Sequence, residues 1–273
     1  MSSAERVLLA WSSGKDSAFS LHVLRAQGAE VVGLLTTINE TFGRVAMHAV
    51  RVELVRTQAA AAGLPLLEVP IPWPCSNEAY EAAMGAALAT ARAGGATAVA
   101  FGDLFLEDVR RYREDRMAPT GLAPLFPLWG RETRALAEEM IASGQRAILT
   151  CVDPHALPPS FIGRDFDEAL LRELPATADP CGERGEFHTF AWDGPAFRQP
   201  VPVRRGDVVE RDGFVFADLQ PGTDVAPGRI AAARGTDGRP ATGADPSPPA
   251  SAHPPRTSGS RRACAPRRAE PHA

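Results

Sequence analysis

Lysine is all but missing from this chain. Of its 29 Lys and Arg residues, Lys15 alone is a lysine. Abundant Ala, Gly, Pro and Arg suggest a GC-rich bacterial genome, in which Lys drifts to Arg wherever either cation serves. The two cations part company where a compact point charge on a thin stem must fit, so the survivor marks a constrained position. Long apolar runs are lacking too. None approaches the roughly 18 residues of a membrane span, and the N-terminal MSSAERVLLAW has no charged start or long apolar stretch of a secretory signal. A soluble, cytoplasmic protein without a membrane partner is expected. Cys75, Cys151, Cys181 and Cys264 form no Cys-x-x-Cys pair, which argues against a disulfide framework and against a structural zinc or iron–sulfur site.

Between Pro221 and Ala273 there is no Leu, Phe, Trp or Tyr. Such a segment cannot bury enough apolar surface to offset its ordering entropy, so 221–273 reads as a disordered Pro/Ala/Arg-rich tail. Its eight arginines against four acids leave it at +4; with −4 overall, the remainder is near −8. That balance, with no obvious RNA-binding appendage, makes nucleic acid an unexpected partner.

What is present begins with a regular alternation. Short apolar runs at Arg6–Trp11, Glu30–Thr36, Pro65–Val69 and Thr97–Phe101 read as buried strands. Between them lie helical stretches at about Ser17–Gln27, Ala46–Ala62 and, capped by Asn77, up to Ala93. Gly28, Gly63 and Gly94 stop them. Nearly all-apolar strands spaced by helices imply a parallel sheet covered on both faces. After Leu106 the rhythm loosens, with a helix at Arg131–Ser143, a strand at Arg146–Val152 and a short helix at Phe166–Glu173. Val208–Phe216 reads as a hairpin around Asp212-Gly213.

The first strand runs into Ser12-Ser13-Gly14-Lys15-Asp16-Ser17 and then a helix. Backbone N–H groups and the helix dipole make such a junction an anion site. Three hydroxyls and Lys15 suit phosphate, and Asp16 suits a Mg²⁺ ion beside it; an ordinary Ser/Gly turn with a capping Asp is the plain alternative. A Walker A loop needs Gly, four residues, then Gly-Lys-Ser/Thr, and none occurs. The loop resembles the PP-loop, Ser-Gly-Gly-x-Asp-Ser, of the ATP pyrophosphatases, with Ser13 where that motif has its first Gly. If the position needs φ > 0, Ser13 is strained.

Further blocks narrow the resemblance: Thr36-Thr37-Ile38-Asn39-Glu40, Arg44 to Arg51, Gly102-Asp103-Leu104, Pro124–Arg131 and Asp179 to Phe190. In this order they resemble the diphthine–ammonia ligase family over roughly residues 5–218. The resemblance implies an α/β fold. A parallel-sheet, Rossmann-like PP-loop domain would span 1–120 and bind ATP and Mg²⁺, and a smaller α+β substrate domain would span 121–220. It also implies adenylation of a small-molecule or protein-residue carboxylate, release of pyrophosphate and AMP, and attack by ammonia or an amine. A homo-oligomer is compatible with it.

On the matching positions, Ser12, Ser13, Gly14, Lys15, Asp16, Ser17, Thr36, Gly102 and Asp103 are expected at ATP, with Asp16 on Mg²⁺. Lys15, Asp16, Glu183 and Glu186 are the expected catalytic groups. Asn39, Glu40, Arg44, His48, Arg51 and His188 are expected at the substrate. Glu183 and Glu186, three apart on a glycine-bearing turn, suit either a shared metal or amine, or a cleft rim neutralised by arginine. Arg44, His48 and Arg51 share one face if their segment is helical, as an anion site or a solvated stripe. Two other function classes fit the loop: a tRNA-modifying PP-loop enzyme, and a regulatory module that binds nucleotide without turnover.

Overall fold

The computed structural model describes residues 5–45 and 50–222. His48 and the tail beyond residue 222 therefore lie outside the described residues.

Strands β1 (Arg6–Ala10), β2 (Glu30–Asn39), β4 (Leu66–Ile71), β5 (Ala98–Ala100) and β6 (Ala123–Leu125) pair in parallel. Their spatial order is β4–β2–β1–β5–β6. A two-residue strand, β3 (Arg44–Val45), adds antiparallel to the far end of β2. The chain steps outward from β1 to β2 and β4, then returns to the other side of β1 for β5. The crevice between β1 and β5 is thus a topological switch point, where open α/β sheets receive ligands at the strands' carboxyl ends.

Residues of β1 alternate between two cores. Val7 and Leu9 join one buried cluster and Leu8 another. Helices α1 (Lys15–Ala26) and α2 (Val52–Ala62) pack on the first side. Helices α3 (Asn77–Ala93) and α4 (Glu107–Met117) supply Leu88 and Met117 to the second. Ser76, one residue before the expected Asn77, caps α3 by accepting from the Ala79 N–H at 3.2 Å.

The second sheet is antiparallel throughout, in the order β8–β7–β10–β9. It is built from β7 (Arg146–Val152), β8 (Phe187–Asp193), β9 (Val203–Arg211) and β10 (Phe214–Pro221). Asp212 and Gly213, at φ 52° and 82°, make the expected two-residue turn between β9 and β10. Helices α5 (Thr133–Ala142) and α6 (Glu168–Glu173) flank this sheet. Most of its buried side chains share the first sheet's core: Leu149, Phe190 and Val215 belong to the cluster that holds Leu9 and Phe19, while Cys151 and Phe216 form a small cluster of their own. The second sheet is therefore packed on the α1/α2 side of the first. The division expected at residue 120 falls just before β6, which still pairs with β5.

One local expectation is corrected. Arg44 lies in a strand and α2 begins only at Val52, so Arg44 and Arg51 do not share a helix. No helix among the described residues is long and apolar enough to cross a membrane.

Candidate functional site

The 12–17 loop leaves β1 at the switch point and enters α1. Ser13 has φ 69°, the left-handed conformation that costs a non-glycine residue about 1–2 kcal/mol. The surroundings hold it there. Its carbonyl accepts the Ala191 N–H of β8 at 2.9 Å and the Gln58 side-chain amide of α2 at 3.0 Å. Gln58, fully buried, also donates to the Ala191 carbonyl at 2.6 Å and accepts from the Trp11 indole at 2.9 Å. Gln145, before β7, donates to the Lys15 carbonyl, and Thr189 Oγ1 of β8 accepts the Lys15 N–H.

With Lys15 N–H so engaged and Ala18 N–H bonded to the Gly14 carbonyl, the amides of Asp16 and Ser17 have no backbone acceptor among the described residues, and the Asp16 amide is met by its own carboxylate. Ser17 Oγ donates to the Gly14 carbonyl and lies 3.3 Å from Ser12 Oγ. Gly102, following β5, packs directly on these amides: a Cβ there would lie 3.3 Å from Ser17 N. Asp103 is half-buried beside it and pairs with Arg113 of α4 at 3.5 Å.

Lys15 does not face the open crevice. Its side chain is 2 % exposed. The ammonium donates to both oxygens of Asp16, at 2.9 and 2.8 Å, and to the Cys181 carbonyl. The rings of Phe166 and Phe187 flank it at 5.5 and 5.6 Å. Burial works against its charge, but the charge and hydrogen bonds of Asp16, foremost among its neighbours, more than offset it, so the lysine is held above its ordinary pKa as an ammonium.

The 179–186 turn forms the opposite wall. Asp179, missed from sequence, accepts from Thr133 Oγ1 at 2.8 Å and from the amides of Cys181 and Glu183. Glu186 is buried and accepts from the Asp179 and Arg184 amides. Glu183 reaches instead across the crevice to the Leu104 N–H, at 2.8 Å. The two glutamates thus do not converge: Glu186 braces its own turn, and Glu183 faces the loop after β5. Burial, reinforced by Asp16 and Asp103, pushes the Glu183 carboxyl up to about 8 against the pull of the Leu104 amide. Burial likewise raises the Cys181 thiol.

The remaining expected residues scatter. Thr36 is buried on β2 near the loop, its hydroxyl without a partner among the described residues. Asn39 shapes the turn after β2 by accepting the Thr41 N–H, and Glu40 is exposed beyond it. Arg44 and Arg51 both bind Asp218 of β10, at 3.0 and 2.7 Å, joining the two sheets. Burial raises the Asp218 carboxyl, but Arg51, Gln220 and Arg44 outweigh it and hold it below its ordinary range. His188 neighbours Thr189 on β8, and strand alternation turns it to the face away from the loop. Gln58, Gln145 and Thr189, which fasten the loop, carry no local signal beyond being isolated polar residues in apolar stretches.

The accessible groups at the mouth are Ser12, Asp16, Gly102, Asp103 and Glu183. They suit a nucleotide phosphate chain, with a helix start at the mouth and a glycine pressed against the Asp16–Ser17 peptide. No three His, Cys, Asp or Glu side chains among the described residues form a metal cage. That donor set fits a Mg²⁺ carried on phosphates and one carboxylate, Asp16, whose side chain is 27 % exposed.

Comparison with known proteins agrees with this layout. The diphthamide synthase N-terminal domain model matches residues 5–122, which build the first sheet up to the start of β6, and the diphthamide synthase C-terminal domain model matches 132–217. Over 120 residues the chain is 36% identical to the diphthine–ammonia ligase of Danio rerio and 33% identical to that of Homo sapiens. These alignments cover 42% of this chain and 47% and 45% of the relatives. A match to the Schizosaccharomyces pombe diphthine–ammonia ligase is 32% identical over 94 residues, 33% of this chain and 16% of that protein. The alignments thus span about half or less of the curated relatives. Since the two family models fall in chain order on the segments that build the two walls of the crevice, the chain belongs to the diphthine–ammonia ligase (diphthamide synthase) family.

Proposed function

We propose that the protein is an ATP-dependent ligase that joins ammonia, or an amine, to a carboxylate through adenylation of the acid. Diphthine, the acid in the relatives' name, is the first candidate. The observation that carries this reading is the crevice between β1 and β5. A loop shaped for an anion, with one partly exposed carboxylate, Asp16, faces a second carboxyl group, Glu183, held from the opposite wall.

ATP bound here would supply an electrophilic α-phosphorus, and Asp16 is the residue that would hold a Mg²⁺ ion to offset charge on its phosphates. The amides of Asp16 and Ser17 and the hydroxyl of Ser12 orient the phosphate chain, and Gly102 lets it approach the sheet edge. Attack by the substrate carboxylate on the α-phosphorus builds negative charge that these donors stabilise. Glu183 is placed to take the proton that the nitrogen nucleophile must lose, and its high pKa makes it an adequate base near neutral to mildly alkaline pH. Asp103, half-buried after β5 and paired with Arg113, stands beside Gly102 at this mouth.

The test is to incubate candidate acids, including a diphthine-bearing protein, with ATP, Mg²⁺ and ammonium, and to identify the nucleotide products. AMP and pyrophosphate, formed in step with amide, are expected. ADP and phosphate would sink the adenylation step, and tight ATP binding without turnover on any acid would favour a nucleotide-binding regulatory module.

A further inference from the structure

The sole lysine of a chain with 29 basic residues lies inside the site, yet its charge points away from the crevice. We propose that Lys15 is a positioning residue: it is a strut that ties the nucleotide loop to the 179–186 turn, and it does not touch phosphate. The inference rests on reading the 12–17 loop as the nucleotide site.

Three observations carry it. First, the ammonium has three protons, and three oxygens surround it: both of Asp16 and the Cys181 carbonyl. A phosphate oxygen would have to displace one of them. Second, Phe166 and Phe187 close the space on two sides. Both belong to the second sheet's side of the molecule, so the lysine stem crosses from the loop of one sheet into the packing of the other. Third, its own backbone is pinned at both ends, the N–H by Thr189 and the carbonyl by Gln145. The stem therefore starts from a fixed point and ends in a fixed box.

The consequences fall on the two carboxyl groups of the proposed chemistry. Lys15 sets the rotamer of Asp16, and through the Cys181 carbonyl it holds the turn from which Glu183 reaches Leu104. This also accounts for the missing lysines. Elsewhere an arginine serves as well, but a planar guanidinium with five donors cannot fit a box built for a compact ammonium, and its surplus donors would be buried unpaired.

Because Lys15 is the only lysine, protein grown on ¹³C-labelled lysine gives a single side-chain signal from the intact 273-residue chain. The two rings should displace the ε-methylene signal upfield, and it should stay displaced in the free protein, with AMP and with saturating Mg·ATP. A signal at the ordinary exposed-lysine position, or one that moves there with Mg·ATP but not with AMP, would overturn the strut. Kinetics of Lys15→Met and Lys15→Arg, on the acid identified by the screen above, supply the second arm. Positioning predicts a KM for ATP within about 3-fold of the parent and a kcat lowered at least ~10-fold in both. A KM raised ~10-fold or more would mark a phosphate ligand. A lowered melting temperature with unchanged KM and kcat would reduce the lysine to architecture. If the unaltered protein neither binds Mg·ATP nor releases AMP, the reading of the site fails instead, and the free-protein signal still reports on the box.

Discussion

The 12–17 loop and the 179–186 turn face one another across the site but are held in opposite ways. The turn is braced mainly from within, with Thr133 and Lys15 adding ties from outside. Asp179 and Glu186 accept amides within their own eight residues, and Gly182 and Gly185 adopt the left-handed backbone that allows it. The loop is fastened from outside, by Gln58 of α2, by Gln145 before β7, and by Thr189 and Ala191 of β8. A short motif that carries chemistry is thus not the unit that sets its own shape. The loop should fail when distant residues change, and the turn when its own residues change.

The largest test of that contrast is Gln58→Leu. It strips the Trp11 indole and the Ser13 and Ala191 carbonyls of a shared partner in a fully buried place. A loss of ~3 kcal/mol in denaturant unfolding is expected, with Mg·ATP affinity down at least ~10-fold by calorimetry. Unchanged affinity in a folded variant would mean that the loop shapes itself. On the other wall, Gly182→Ala strains a φ of 69° and sets a Cβ 2.8 Å from the Phe187 carbonyl oxygen. About 2 kcal/mol of stability should go, while Mg·ATP affinity stays near that of the parent.

Glu183→Gln sharpens the comparison through pH. The Glu183 carboxyl sits at about 8 in the folded protein, above its ordinary value of 4.5. Between those limits the folded state holds the extra proton, so this group makes stability fall as pH rises through the window. The neutral glutamine, which still accepts the Leu104 N–H, escapes that loss. Its melting temperature should match the parent below about pH 4.5, exceed it increasingly up to about pH 8, and hold a constant excess above that. A constant difference between those two pH values would refute the assignment of the shift to Glu183.

The smallest expected effect is Ser13→Gly. It relieves the positive φ and removes a buried hydroxyl that has no partner among the described residues. A gain of ~0.5–1 kcal/mol is expected, with no loss of nucleotide binding, since the outside fasteners act on the backbone. A net destabilisation would show that the hydroxyl contributes to the loop.

Much of the fold was legible because its signals are local. The apolar runs at Arg6–Trp11, Glu30–Thr36 and Arg146–Val152 lie on β1, β2 and β7, and Gly63 ends α2 in the left-handed conformation. β3, β6 and β8 were missed. The first two are two or three residues long, and β8 begins inside the Glu186-Phe187-His188 block, whose sequence reads as a site rather than a strand. Arg44 and Arg51 would share a face only on a continuous helix, but Arg44 lies in β3 and Asp218, far along the chain, binds both arginines.

The sequence by itself determined that a Ser/Gly loop with one lysine follows the first strand, that Ser13 stands where a glycine is usual, and which family the motif order resembles. Only the tertiary structure decided the direction of each charge: Lys15 into the second sheet, Glu183 across the crevice, Glu186 into its own turn and His188 away. A side chain's direction is set by which distant oxygens and rings meet it. Those meetings arise when β8 is laid against the loop, 174 residues from Lys15 to Thr189 along the chain.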